Sequence, residues 1–247
     1  MARRLARELD LAIARLSGGE PERDLIAIIC HDLKDPLASI VMGAGYLKKT
    51  LTNDADEARS SRKVVEAIAR SADRMSQVIG DFHDLSKLET GTLEIDVRPC
   101  DVGGSLRAAM GPLAQQATER SLELTFDAPQ EPVVARCDRA RLLQIVGKLT
   151  HNALKFTPAG GRIHVRVAAS DDGNAVRVTV RDTGRGIAPQ LLGEIFDHAA
   201  NARRSPREGP GLGLAIASGL ARLQGGELAV ETLVGEGTTF TLTLPRA

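Results

Sequence analysis

His31-Asp32-Leu33-Lys34-Asp35-Pro36-Leu37 decides how the chain is read, because its histidine stands on the wrong side of its own helix. Residues 22–51 carry an apolar stripe at helical spacing: Leu25, Ile29, Leu33, Leu37, Ile40, Ala44, Leu47 and Leu51. At about 100° per residue, His31 lies roughly 170° from the centre of that stripe. Burial in the local core therefore does not account for it. A water-facing imidazole beside the Asp32 carboxylate is suited to accept and hold a phosphoryl group. Pro36 has no N–H to offer the Asp32 carbonyl, so a bend is expected just after His31. An exposed histidine by itself is ordinary surface, and the meaning of this one depends on the rest of the chain.

Working outward, a second helical pattern covers about 56–89, with Val64, Val65, Ile68, Ala72, Met75, Ile79, Phe82 and Leu85 three or four residues apart. The turn Thr52-Asn53-Asp54 between the patterns is short, so the helices should be antiparallel neighbours. Two helices cannot bury both stripes alone. A second copy completes a four-helix bundle, which predicts a homodimer through residues 22–90. Upstream, Leu5, Leu9, Ala12 and Leu16 give residues 3–16 a short amphipathic helix, read either as a coiled coil or as a frayed end. Gly18-Gly19 and Pro21 separate it from the hairpin.

After Thr90-Gly91 the period changes from helical to alternating. Strands are expected at 93–97, 122–126, 162–168, 175–181, 227–231 and 238–244, with helices at about 103–119, 138–154 and 212–224. This predicts an α+β chain: an N-terminal antiparallel helical hairpin followed by an α/β sandwich, one sheet covered by helices. The expected division is 1–20 as linker or coiled-coil helix, 21–91 as the hairpin domain and 92–247 as the sandwich. The polar stretch 198–210, rich in Arg, Ser, Pro and Gly, reads as a mobile loop.

Composition removes several function classes. Lys+Arg and Asp+Glu are equal at 32 each, which argues against broad binding to nucleic acid or to an anionic membrane. Aromatics are 2% with no Trp, so base-stacking platforms are not expected and the core must rest on aliphatics. No apolar run reaches the roughly 18 residues of a membrane span, and no signal-peptide core precedes the first helix. Cys30, Cys100 and Cys137 lack metal-ligand spacing and read as reduced thiols of a cytoplasmic protein.

Four motifs follow in order along the sandwich. Gln144–Pro158 holds Asn152 and Lys155 three residues apart on one helix face, an amide oxygen for Mg²⁺ and an ammonium for phosphate. Asp182-Thr183-Gly184-Arg185-Gly186-Ile187 follows a strand; its glycines allow a tight turn and close approach by a ligand, and its carboxylate can accept an amino hydrogen from an adenine ring. Ile195-Phe196-Asp197 precedes the polar loop, with Phe196 read as the anchor of its start. Gly209-Pro210-Gly211-Leu212-Gly213-Leu214 opens a helix, where bare backbone N–H groups form an anion site. It is not a Walker A loop, since no Lys-Ser or Lys-Thr follows. Each motif alone is an ordinary turn or helix end.

All four in this order, behind a histidine hairpin, resemble the sensor histidine kinases of two-component signalling over residues 22 to 245. The second domain is similar to the ATP-binding fold that they share with DNA gyrase, Hsp90 and MutL. The resemblance implies an autophosphorylating kinase that uses ATP and Mg²⁺ and passes its phosphoryl group to a response-regulator receiver domain docking near His31. It implies His31 as phospho-acceptor and Asp32 as general base. It implies Asn152 as Mg²⁺ ligand, Lys155 at phosphate, and Asp182, Gly184 and Gly186 around adenine. Phe196 then matches the F box and 198–208 the lid. Gly209, Gly211, Leu212 and Gly213 match the phosphate-side glycine box, and Thr238 is expected to reach the adenine site.

Three positions depart from the family pattern. Lys148 stands where an asparagine usually precedes the metal ligand by one turn, and its charge opposes Mg²⁺. Ala199 replaces a second phenylalanine, loosening the lid anchor. Asp35 replaces the Thr or Asn that positions water for dephosphorylation, which implies weak phosphatase activity. Lys148 and Ala199 leave open an alternative, a degenerate nucleotide-binding scaffold that regulates another kinase. An ATPase clamp of the gyrase kind would leave the histidine hairpin without purpose, and no acid stands in 142–155 to activate water.

Overall fold

The computed structural model describes residues 33, 36–47, 55–197 and 211–247. His31, Asp32, Asp35, the bend after His31, the helix at 3–16, the Thr52-Asn53-Asp54 turn and the loop 198–210 lie outside them. The described residues fall into two compact units, one holding the helical stretch to Ser86, the other Lys87–Asp197 with Gly213–Ala247.

In the first unit, residues 33 and 36–47 are helical (α1) and Ala55–Glu89 forms one long helix (α2). The α2 residues withdrawn from water include Ser61, Val64, Ile68, Ser71, Met75 and Val78. Their three-and-four spacing makes one stripe. α1 meets that stripe closely: a Cβ at Gly43 would lie 2.8 Å from Ile68 Cγ1 and 3.1 Å from Val64 Cγ1. Glycine is what permits this approach. Other apolar side chains of the hairpin stay open to water, Met42 at 70%, Ile79 at 54% and Val65 at 53%.

The second unit is a layered α/β body. Its main sheet has the order β2-β4-β5-β7-β6, built from Glu123–Asp127 (β2), Arg162–Ala169 (β4), Ala175–Asp182 (β5), Gly237–Pro245 (β7) and Glu227–Leu233 (β6). β2 runs parallel to β4 and the other neighbours are antiparallel. Ile163, Val165 and Val167 of β4, Val176, Val178 and Val180 of β5, and Leu242 and Leu244 of β7 are buried on one face. The helices Val102–Glu119 (α3) and Arg139–Phe156 (α4) supply Leu106, Leu142, Ile145 and Leu149 to the buried core. Leu212–Leu223 (α6) adds Ile216 and Leu220. Each such side chain contributes about 1.5–3 kcal/mol relative to exposure. The aliphatic core expected from the composition is therefore present. Among the described residues, no helix is long and apolar enough to cross a membrane.

Two expectations need correction. The strand expected at 93–97 is absent, because these residues find no ladder partner and the Asp96 N–H donates to Asp138 Oδ2 at 3.0 Å instead. The ladder begins at Arg98–Asp101 (β1), which pairs antiparallel with Val134–Cys137 (β3). The single sheet expected is thus two, a five-stranded sheet and the β1–β3 pair. Four residues are too short an alternation to announce β3 in a sequence. The short helix Pro189–Leu192 (α5) also went without a signal.

Candidate active site

One row, polar beyond Ile163, crosses the end of the sheet's buried face. Ile163 of β4 stands opposite Asp182 of β5, Asp182 opposite Thr238 of β7, and Thr238 opposite Thr232 of β6. Alternation assigns all four to one face. Asp182 is the last residue of its strand, so its carboxylate sits where the ladder opens into a loop. It accepts the Gly184 N–H at 2.8 Å and the Thr238 N–H from the next strand. Burial pushes the Asp182 carboxyl above the ordinary carboxylate value, and these two N–H groups pull it back only in part. Thr238 is buried, and its hydroxyl lies 3.0 Å from the Thr232 hydroxyl. It therefore meets the site mainly through its backbone, beside the Asp182 carboxylate.

The loop after Asp182 is stitched to both of its neighbours. Arg185 donates its N–H to the Phe156 carbonyl at 3.4 Å and accepts the Gly235 N–H at 2.9 Å. Ile187 donates to Thr232 Oγ1 at 3.0 Å, and Thr232 Oγ1 donates to the Gly237 carbonyl at 2.9 Å. A Cβ at Gly184 would lie 2.6 Å from the Phe156 carbonyl oxygen, and one at Gly186 would fall on the Leu233 carbonyl. The room these two glycines make is taken by the protein's own backbone, and the Gly184 N–H holds the Asp182 carboxylate.

α4 carries the second set. Asp138 caps it, its Oδ1 accepting from Ala140 N at 2.8 Å and Arg141 N at 3.2 Å. Burial raises the Asp138 carboxyl, but donation from Asp96, Arg141 and Ala140 and the Arg141 charge outweigh it and hold it low. Gln224 is buried at the end of α6 and accepts the Asp138 N–H at 2.8 Å, tying the two helices. Leu142, Ile145, Leu149 and Ala153 take the core side, which leaves Gln144, Lys148, Asn152 and Lys155 on one outer stripe. Asn152 and Lys148 are half-buried and Lys155 is exposed. Lys155 Nζ stands 4.5 Å from the Phe156 ring centroid and the Arg185 guanidinium 4.8 Å, so two cations flank one ring.

Among the described residues, no group of three His, Cys, Asp or Glu could hold a metal ion. One amide oxygen suits Mg²⁺, which takes few protein ligands when phosphates and waters supply the rest. Lys148, one turn before Asn152, works against it.

The helix α6 opens directly after Gly211, whose φ is +66°. A Cβ at Gly213 would meet no described atom within 4 Å, in contrast to Gly184 and Gly186. Gly209 lies outside the described residues. At the other motif, Ile195 is the buried residue and Phe196 only half-buried, so the anchor moves back one position. The structure brings Asp182, Gly184, Gly186 and Thr238 into one cluster, roofed by the end of the helix that carries Asn152 and Lys155. It adds Thr232, which no motif marks, and gives neighbours to Phe156 and Arg185, which the motifs contain without a role. Only the cross-strand register and the close approach of α4 reveal them.

Two family models match the chain. The one described as "Histidine kinase-, DNA gyrase B-, and HSP90-like ATPase" covers residues 137–247, and the "His Kinase A (phospho-acceptor) domain" covers 22–91. An uncharacterized sensor-like histidine kinase of Rhizobium meliloti is 33% identical over 93% of this chain and 44% of its own length. The sensor histidine kinase MtrB of Mycobacterium tuberculosis is 32% identical over 98% of this chain and 42% of its own. Full-length ShkA, solved in complex with AMPPNP, superposes with a TM-score of 0.64 at 31% identity, over 92% of this chain and 46% of that one. The chain spans less than half the length of each of these relatives.

Proposed function

The chain belongs to the sensor histidine kinases, and from that premise we propose that it phosphorylates His31 with ATP and passes the group to an aspartate of a response-regulator receiver domain. The observation that carries the reading is the buried Asp182 carboxylate at the open end of β5, held by Gly184 and Thr238 N–H groups. It is an acceptor shielded from water, placed where an adenine amino group can be read.

In this reading, Asp182 accepts from the adenine amino group and Thr238 fixes the carboxylate. Lys155 faces phosphate, and the N–H groups at the start of α6, bare at Gly213, face it from the other end. Mg²⁺, bound with the nucleotide through Asn152, would neutralise phosphate charge. A His31 ring nitrogen attacks the γ-phosphorus, the bond to the bridging oxygen breaks, and ADP leaves. Asp32 accepts the proton from the other ring nitrogen. Positioning does most of the work.

The open apolar residues Met42, Val65 and Ile79 support the homodimer through 22–90, since a second hairpin would cover them. The division at 1–20, 21–91 and 92–247 and the receiver docking near His31 belong to the same proposal. So does work in the cytoplasm, where ATP is available.

The test is incubation with γ-labelled ATP and Mg²⁺, wild type beside His31→Gln. Acid-labile, alkali-stable label on the wild type alone is expected. Nucleotide binding without label, or label that survives His31→Gln, would overturn the reading.

A further inference from the structure

Cys100 on β1 and Cys137 on β3 are diagonal neighbours, since Arg98 pairs with Cys137 and Cys100 with Ala135. Both side chains fall on one face of the two-stranded pair. Both are free thiols. They line an open cleft of about 390 Å³ together with Asp101, Ser105 and Arg139. Cys100 is half-exposed and Cys137 is buried. Ser105 Oγ lies 3.4 Å from Cys100 Sγ and accepts the Arg139 Nε–H at 3.2 Å. Its own hydrogen is therefore left for the sulfur, with a cation behind it. The Cys100 thiol points at the Asp101 carbonyl, 3.7 Å away.

We propose that Cys100 and Cys137 form a reactive dithiol that a hydroperoxide converts to a disulfide, clasping β1 to β3 immediately before the cap of α4. The proposal is independent of the kinase reading. The Cys100 sulfur attacks the terminal oxygen of the hydroperoxide. The S–O bond forms, the O–O bond breaks, and the leaving oxyanion takes the thiol proton. The Cys137 sulfur then attacks Cys100 Sγ. The S–S bond forms, the S–O bond breaks, and the departing hydroxide leaves as water with the Cys137 proton. Two thiols are oxidised, and one hydroperoxide is reduced to alcohol and water.

The order of events follows from exposure. Burial, and then the neighbouring Cys100, push the Cys137 thiol up to about 12. Cys100 meets the oxidant first.

The experiment uses the full chain carrying Cys30→Ser. It is treated with hydrogen peroxide, alkylated, and digested without reductant for mass spectrometry. Loss of both free thiols is expected, with one intrachain peptide pair joined through Cys100 and Cys137 and released by dithiothreitol. In a Cys137→Ala variant, checked for folding by circular dichroism, Cys100 should stop at the sulfenic acid and be trapped by dimedone. In Cys100→Ala, Cys137 should stay free. Sulfinic acid at Cys100 beside a free Cys137, a Cys100 bridge to another chain, or two unreacted thiols would each overturn the proposal.

Discussion

Asp182 Oδ1 accepts the Gly184 N–H at 2.8 Å from a side chain that is 6% exposed. With Thr238 also donating to it, the carboxylate still has acceptor sites to spare, since it offers about four lone pairs. That spare capacity lets the carboxylate accept from a ligand without giving up either N–H. Asp182→Asn should keep the fold, because an amide oxygen can still accept one N–H. It should weaken binding of a non-hydrolysable ATP analogue by about 10- to 100-fold, the worth of a charge-assisted hydrogen bond. Calorimetry reads the change, and unaltered affinity would remove Asp182 from the adenine site.

The same variant reports on pH. The Asp182 carboxyl is raised in the folded chain above its ordinary 3.8, so the native state holds the proton more tightly. Its stabilising contribution is whole below the unfolded value and is lost as pH rises through the folded one. The Tm of Asp182→Asn minus that of wild type should therefore grow as pH rises from about 4 and then level off. A difference that stays flat would count against a raised carboxyl.

Gly186 and Gly213 should respond oppositely to alanine. At Gly186, φ is +69° and a Cβ would meet the Leu233 backbone, so Gly186→Ala should cost about 1–3 kcal/mol and lower the Tm. Gly213 lies in a helix with open space beside it, and Gly213→Ala should leave the Tm equal or higher by the equivalent of about 0.5–1 kcal/mol. Nucleotide affinity should nevertheless fall if phosphate sits against the start of α6 as proposed, because the added methyl then takes its space. A Gly213→Ala protein that binds normally would assign that glycine to folding history alone.

Lys148 and Asn152 lie one helical turn apart on the outer stripe of α4. Removing the ammonium with Lys148→Asn should lower the Mg²⁺ concentration for half-maximal autophosphorylation by about fivefold, the equivalent of about 1 kcal/mol for a screened charge at this range. A rise in that concentration would make Lys148 a phosphate contact in its own right.

Asp138 caps α4 and also holds the Asp96 N–H. Asp138→Ala should cost about 1–2 kcal/mol, with Asp138→Asn recovering most of it. The Asp138 carboxyl is held low, so its contribution stands above the unfolded value of 3.8 and is lost as pH falls through the folded one. Urea unfolding at neutral pH and in mild acid measures both effects.

Much of this was legible in the chain. The pattern at 56–89 falls within one residue of the observed Ala55–Glu89, because three-and-four spacing is a property of a single helix. The strands at 162–168 and 175–181 each gain only one residue, because alternation is equally local. Asp182, Gly184 and Gly186 announced themselves as a loop after a strand. What the glycines are for did not: their neighbours are the Phe156 carbonyl and the Leu233 carbonyl, far away in sequence.

By itself the sequence determined the long helix Ala55–Glu89, the longer strands and the order of the motifs, since helix and strand periods are written into short stretches of backbone. Tertiary structure alone decided that β1 begins at Arg98, that Cys100 stands diagonal to Cys137, and that Asp182, Thr238 and Thr232 form one row. These are questions of partner and register. Partner and register are settled by closing loops of tens of residues around a shared core, and no local pattern encodes that.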